Sequence, residues 1–199
     1  MLSHLNNGNA GEIPETLKEI DVQGTQVKNH VIATAYKSLE AAADYVRTQG
    51  YEPIVLGDTI TGEAQEVAME QAVIARQHLS KSVALISGGE CTVTLPVGIK
   101  GRGGRCSEFL LALLAATDDM PNLAALAADT DGIDGSEKNA GAWFTPGLRQ
   151  AAMDQGLLPE PYLVAHDCYG FFAQLDALVE TGPTLTNVND FRIILIDTE

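Results

Sequence analysis

The chain is short of cations. Its 199 residues carry 12 Lys and Arg against 27 Asp and Glu, a formal charge of −15 at neutral pH. That balance excludes a nucleic-acid or anionic-membrane surface as the main partner, since both demand a basic face. Cysteine is scarce as well. Cys91, Cys106 and Cys168 are odd in number and lack CxxC or Cys/His metal spacing. A reduced, cytoplasmic chain with small buried thiols is expected, not a disulfide scaffold. The longest strongly apolar stretch, Phe109–Ala116, falls far short of the roughly 20 residues of a membrane span. Met1–Ile20 is polar and contains Pro14, so no secretory leader is expected. Internal repeats and low-complexity tracts are also missing.

Several fingerprints of catalysis are absent too. No GxxxxGK[ST] phosphate loop occurs, and a GxGxxG starting at Gly101 would need glycine where Cys106 stands. There is no GxSxG elbow, and His4, His30, His78 and His166 show neither ligand nor triad spacing. An EF-hand reading of Asp129–Gly135 fails, because Ile133 and Asp134 occupy positions that need an oxygen ligand and a glycine.

What is present reads as an ordinary globular α/β chain, 45% hydrophobic and 20% charged. Residues 1–29 are expected to be irregular, broken by Gly11, Pro14 and Gly24. From His30 onward strands at His30–Thr34, Pro53–Leu56 and Ser82–Ile86 alternate with helices at Ser38–Thr48 and from Thr61, as N-cap, to about Leu79. Further along, Thr92–Leu95 is expected to pair antiparallel with a neighbour, followed by a buried helix at Ser107–Ala116 and a strand at Leu123–Ala128. A helix at Pro146–Gln155, a strand at Leu163–Ala165, a helix at Tyr169–Leu178 and a closing strand at Phe191–Ile196 complete the reading. Arg192 interrupts the last strand and argues for a sheet edge. The alternation predicts a layered α/β/α fold with a mostly parallel or mixed sheet, in a single α/β unit over 30–199.

Three Gly-rich polar motifs fall where strands would end or helices begin, the edge of an α/β sheet where ligands bind. The basic one, Lys100-Gly101-Arg102-Gly103-Gly104-Arg105, holds three of the chain's 12 Lys and Arg. Its glycines allow close backbone approach, and a helix starting near Cys106 would add free N–H groups to the arginine forks. The alternative is a flexible turn. The acidic motif, Asp129 to Gly135, places Asp129, Asp131 and Asp134 after a strand. Such carboxylates can hold Mg²⁺ through water, orient a hydroxyl or accept its proton, or else cap an Asp/Gly turn. Ser87-Gly88-Gly89-Glu90 either offers backbone N–H groups to a phosphate or forms a tight turn with a capping Glu. Thr181–Asp190 is dense in hydroxyls and amides and suits a ligand-lining loop. One basic and one acidic motif together suit an anionic substrate handled with a metal ion.

In this order, Ser87–Glu90, Gly101–Arg105 followed by Glu108, Thr130–Gly135, and Thr181-Gly-Pro-Thr184 with Thr186–Asp190 resemble the C-terminal, so-called MOFRL, domain of the glycerate 2-kinase family. The resemblance covers roughly Val83–Leu195 and implies transfer of the ATP γ-phosphoryl group to D-glycerate, with Mg²⁺. Arg105 and Asp131 match the motif's active-site positions and are the expected catalytic residues. Ser87, Gly88, Gly89, Glu90, Lys100, Gly101, Arg102, Gly103, Gly104, Thr130, Asn187 and Asn189 are the expected substrate- and phosphate-binding residues, and Asp131 and Asp134 the expected metal ligands. The chain departs from the family's usual pattern at Cys106-Ser107, where Asn-Gln is common, at Cys91, where Thr is common, and at Leu185, where Gly is common. The resemblance further implies a missing partner, an N-terminal Rossmann-like domain with a catalytic lysine. A partly apolar face left without it would favour a homo-oligomer. Some members are described as hydroxypyruvate reductases. An NAD(P)H-dependent reductase and a non-catalytic ligand-binding domain are therefore the alternative readings, although no nicotinamide fingerprint is visible.

Overall fold

The computed structural model describes residues 2–12, 28, 30 and 34–198. The chain divides into two units, Met1–Ile32 and Ala33–Glu199. In the first, Leu2–Asn9 forms helix α1. The strand expected at His30–Thr34 lies largely outside the described residues; Thr34 itself is the N-cap of the next helix, accepting from the Lys37 N–H at 3.3 Å.

The second unit runs α2 (Ala35–Thr48), β1 (Glu52–Glu63), α3 (Ala64–Arg76), β2 (Val83–Thr92), α4 (Arg105–Ala116), β3 (Leu123–Asp129), β4 (Gly141–Phe144), α5 (Pro146–Asp154), α6 (Pro159–Ala165), α7 (Cys168–Gln174), β5 (Leu178–Val179) and β6 (Asp190–Ile196). The six strands lie in the order β1-β2-β6-β3-β4-β5. The sheet is mixed: β1 and β2 pair in parallel and every other neighbouring pair is antiparallel. Even so, β1, β2, β3 and β5 all run the same way, because β6 and β4 are inserted against them.

Successive strand residues face opposite sides of the sheet. Val83, Leu85, Ile194 and Ile196 join the core formed with α3 and α4, whereas Ala84 and Ile86 pack with Leu39, Ala43 and Val46 of α2. Helices thus cover both faces. The helix expected at Ser107–Ala116 is α4, buried from Cys106 to Leu114 as its nearly unbroken apolar sequence requires.

Several boundaries differ from expectation. Arg192 does not mark an edge. It is buried in β6, the strand between β2 and β3, with its guanidinium 5.4 Å from the Phe109 ring centre and in contact with Cys91 Sγ. An aromatic stack and a long apolar stem let an interior strand accept arginine. β1 runs on past Gly57-Asp58, through register shifts, so Thr61 is a strand residue and α3 starts at Ala64. β2 likewise runs through Ser87–Glu90. A Cβ on Gly89, at φ +124, would fall 2.1 Å from the Ile60 carbonyl oxygen, so glycine here serves close strand packing and not a turn. Thr92 and Thr94 form no separate strand; their hydroxyls donate to Glu63 at 2.9 and 2.7 Å. Leu163–Ala165 belongs to a helix, α6, whose first turn carries the favourable Pro159. The helix expected to reach Leu178 stops at Gln174, and Leu178-Val179 pairs with β4 as β5. Among the described residues no helix is long and apolar enough to cross a membrane.

Candidate active site

The ends of β2 and β3 and the start of β6 lie on one edge of the sheet, with Asp190 in register with both Gly89 and Asp129. Arg105, the first residue of α4, reaches over this edge. Its Nε donates to Asp190 Oδ1 at 2.8 Å and its Nη2 to Asp129 Oδ2 at 2.6 Å, with Glu90 Oε1 at 3.7 Å. The side chains of Asp129 and Asp190 are 2% and 1% exposed, that of Arg105 22%. Among the described residues, Nη1 has no hydrogen-bond partner. Burial works against the Arg105 charge, but Asp190 and Asp129 outweigh it and the pKa is raised. On the other side of the pair, burial holds Asp129 and Asp190 above the usual carboxylate range despite Arg105. The arginine charge is the secure one, since guanidinium does not deprotonate in proteins.

The acidic loop folds back on itself and on α4. Asp129 Oδ1 accepts from the Asp131 N–H at 3.0 Å, and Asp131 Oδ1 from the Ile133 N–H at 2.8 Å. Asp134 is fully buried and accepts from the backbone N–H groups of Cys106 and Ser107 at 2.9 and 2.8 Å and from the Ser107 hydroxyl at 2.6 Å. Gly104, the N-cap residue, has no side chain to do this, and a Cβ there would lie 2.3 Å from Asp134 Oδ1. Asp134 is therefore a cap supplied from another loop, and burial pushes its pKa up. These N–H groups were expected to face a ligand; Asp134 occupies them instead. Gly103 and Ser136 complete the interlock of the basic and acidic loops, each N–H donating to the other residue at 3.2 Å. Burial also drives the Cys106 thiol well above its ordinary range, which leaves it unreactive.

The Thr181–Asp190 loop is tied to the acidic loop. Thr130 Oγ1 donates to the Asn189 carbonyl and accepts from the Val188 N–H, both at 2.8 Å, and the Thr184 N–H donates to the Asp131 carbonyl at 2.9 Å. Asn187 Oδ1 accepts from the Asn189 N–H at 2.8 Å. Leu185, 97% exposed, sits in this loop at φ 60.

The expected site residues thus separate into groups. Arg105 of α4, Glu90 of β2, and Thr130, Asp131, Asn187 and Asn189 of the connected loops lie around the Arg105 edge. Lys100, Gly101, Arg102, Gly103 and Gly104 line a cavity of about 240 Å³ with Glu108, Ser136 and His166. Arg102 is bonded there to Glu137 at 3.2 Å and stacked 4.7 Å from the Tyr169 ring centre. Ser87, Gly88 and Gly89 lie inside β2; Ser87 and Gly89 pair with both neighbouring strands, Gly88 with β6 alone, and the Ser87 hydroxyl is bonded to Gln71. Sequence reasoning missed Asp190 as a partner of Arg105, although it placed the residue at the end of the Thr181–Asp190 loop, just before an apolar strand. It also missed buried Glu108, which accepts from Gln65 at 2.6 Å and from the Cys168 thiol at 2.9 Å. His166 Nδ1 lies 2.9 Å from Glu108 but without hydrogen-bond alignment.

Of the expected metal ligands, Asp134 has both oxygens committed to α4, whereas Asp131 has only Oδ1 engaged. Among the described residues no group of three His, Cys, Asp or Glu could hold a metal ion, so Asp131 could at most contribute one donor to a magnesium ion otherwise held by water and substrate phosphates.

The profile of the MOFRL family matches residues 83–190. A protein of Agrobacterium vitis named "Putative hydroxypyruvate reductase" is 45% identical over 172 residues, covering 83% of this chain and 45% of that protein. The glycerate 2-kinase of Pyrococcus horikoshii is 33% identical over 201 residues, covering 97% of this chain and 44% of the kinase. The crystal structure of a glycerate kinase from Thermotoga maritima matches with a TM-score of 0.80 at 28% identity, covering 97% of this chain and 49% of that one. The chain spans a little under half the length of these relatives.

Proposed function

The chain belongs to the MOFRL family, and from that membership we propose that it forms one wall of a glycerate kinase active site, where the γ-phosphoryl group of ATP passes to the 2-hydroxyl of D-glycerate. The observation that carries the reading is Arg105, clamped by two buried carboxylates with Nη1 of its guanidinium without a hydrogen-bond partner among the described residues. Phosphoryl transfer is catalysed mainly by positioning and by neutralising developing charge. A guanidinium already oriented by Asp129 and Asp190 meets an anionic oxygen with little reorganisation, the condition for effective electrostatic stabilisation. Asp131 has one carboxylate oxygen engaged by Ile133; the other is available to orient the substrate hydroxyl or accept its proton. Thr130, Asn187 and Asn189 hold the surrounding loops, and no step is assigned to a metal held by this chain. The nucleotide and the opposing charged groups come from the half of the family's proteins that this chain does not span. Alone, the chain is expected to turn over little, because in-line transfer needs both walls.

Arg105→Ala is a poor test, since stranding two buried carboxylates costs about 3–5 kcal/mol of stability. Arg105→Lys, in a protein containing both halves, keeps the charge and removes the fork. ADP release with D-glycerate is expected to fall about 10- to 150-fold, corresponding to the roughly 1.5–3 kcal/mol of a charged hydrogen bond. Unchanged kcat and KM would overturn the assignment. The name of the Agrobacterium vitis relative favours a second reading; oxidation of NADH with hydroxypyruvate in the absence of ATP would establish it instead.

A further inference from the structure

A second cavity, of about 280 Å³, opens at the far end of α4. Leu114 lies nine positions beyond Arg105, about 14 Å along the helix, so this cavity is remote from the Arg105 edge. Its walls are largely apolar, with Leu157 and the exposed Met153 and Leu158. Three charged side chains also line it, Asp118, Glu160 and Arg149, of which only Arg149 is a cation. Arg149 donates from Nη1 to the Leu114 carbonyl at 2.8 Å and from Nη2 to Thr117 Oγ1 at 3.0 Å, and lies 5.5 Å from the Phe144 ring centre. These contacts fix the guanidinium at the C-terminal end of α4 but use only two of its five N–H donors.

The remaining charge has no close counter-ion. Arg149 Nε is buried without an acceptor, and no carboxylate lies within ion-pair distance among the described residues. Asp119 is paired with Arg76 at 2.8 Å. Asp118 and Glu160 line the same cavity but are exposed, so solvent screens them. Burial draws the Arg149 pKa below its ordinary value, as for a cation lacking a partner, yet the group stays charged at neutral pH. Partly buried charges are normally paired; here the carbonyl end of α4 and the exposed Asp118 and Asp119 balance the cation only in part, and none of them forms an ion pair with it.

We propose that this cavity binds a small amphipathic carboxylate, with its apolar part against Met153, Leu157 and Leu158 and its carboxylate on Arg149. The volume is at the lower limit of small-molecule pockets, which begin near about 300 Å³, and this restricts the ligand to a short branched or aryl-substituted acid. The test is an NMR titration of the whole chain with 3-phenylpropanoate and, in parallel, its primary amide. The acid is expected to give saturable shifts at Arg149, Met153 and Phe171, and the amide to bind at least about tenfold more weakly, the loss of one charged hydrogen bond. Leu158→Glu, at a position 60% exposed and so tolerant of charge, should abolish the acid's binding without changing the fold. Equal affinity for the amide, no saturation in the millimolar range, or shifts confined to Lys100–Arg105 would overturn the site.

Discussion

Replacing Asp134 by alanine isolates the joint between the basic and acidic loops. Three hydrogen bonds end on this one carboxylate, two from the second and third backbone N–H groups of α4 and one from the Ser107 hydroxyl. Loss of an N-cap alone costs about 0.5–2 kcal/mol. Each further bond to a charged acceptor contributes about 1.5–3 kcal/mol. Relief of the buried charge offsets part of that sum, and the site is 0% exposed, so water does not replace the lost acceptor. A net loss of about 3 kcal/mol is expected, equivalent to about 6–12 °C in Tm for a domain of this size. Urea unfolding followed by the fluorescence of Trp143, the chain's one tryptophan, measures it. Asp134→Asn, which retains one acceptor, should fall between alanine and the native residue. A loss below about 1 kcal/mol with Asp134→Ala would mean that the N-terminus of α4 is satisfied without the acidic loop, and the interlock argument would fail.

Stability should rise on mild acidification. Burial holds Asp129, Asp134 and Asp190 above the usual carboxylate range, so in that window the folded state binds more protons than the unfolded one. The contribution is fully present below the unfolded value near about 4 and is lost as pH rises through the raised values. A urea midpoint that is flat or falls from about pH 7 to about pH 5 would contradict it. Leu185→Gly is expected to stabilise the chain by up to about 1 kcal/mol: it removes roughly 1–2 kcal/mol of left-handed backbone cost and gives back part of that in unfolded-state entropy. A lower urea midpoint for this variant would show that the exposed leucine makes a contact worth more than its strain.

The elements that were legible in sequence are those whose information is local. α4 and β3 begin and end within two residues of expectation, because Phe109–Leu114 and Leu123–Ala128 are apolar runs closed by polar residues. β1 and β2 were read too short, since Gly57, Gly88 and Gly89 signal turns in isolation. Their small size instead lets two strands approach through a bulge. The place of β6 depends on pairing, which leaves no mark on the strand's own sequence, and Arg192 pointed the wrong way for that reason. At the candidate site, the basic and acidic loops were visible as motifs. Their union through Asp134 and the role of Asp190 were not, since both depend on contacts more than 20 residues apart.

The position of β6 also has a consequence for assembly. Residues 190–196 are synthesised after every other strand, yet they carry the ladder that joins β1-β2 to β3-β4-β5. Until they emerge, the nascent chain holds two sheet fragments, each with an open edge facing the other, and open edges invite wrong pairing. β2 and β3 run in the same direction and could meet directly, so completion requires the last strand to enter between them. The closing contact brings Asp190 alongside Arg105, and the charged cluster is therefore assembled in the same event that closes the sheet.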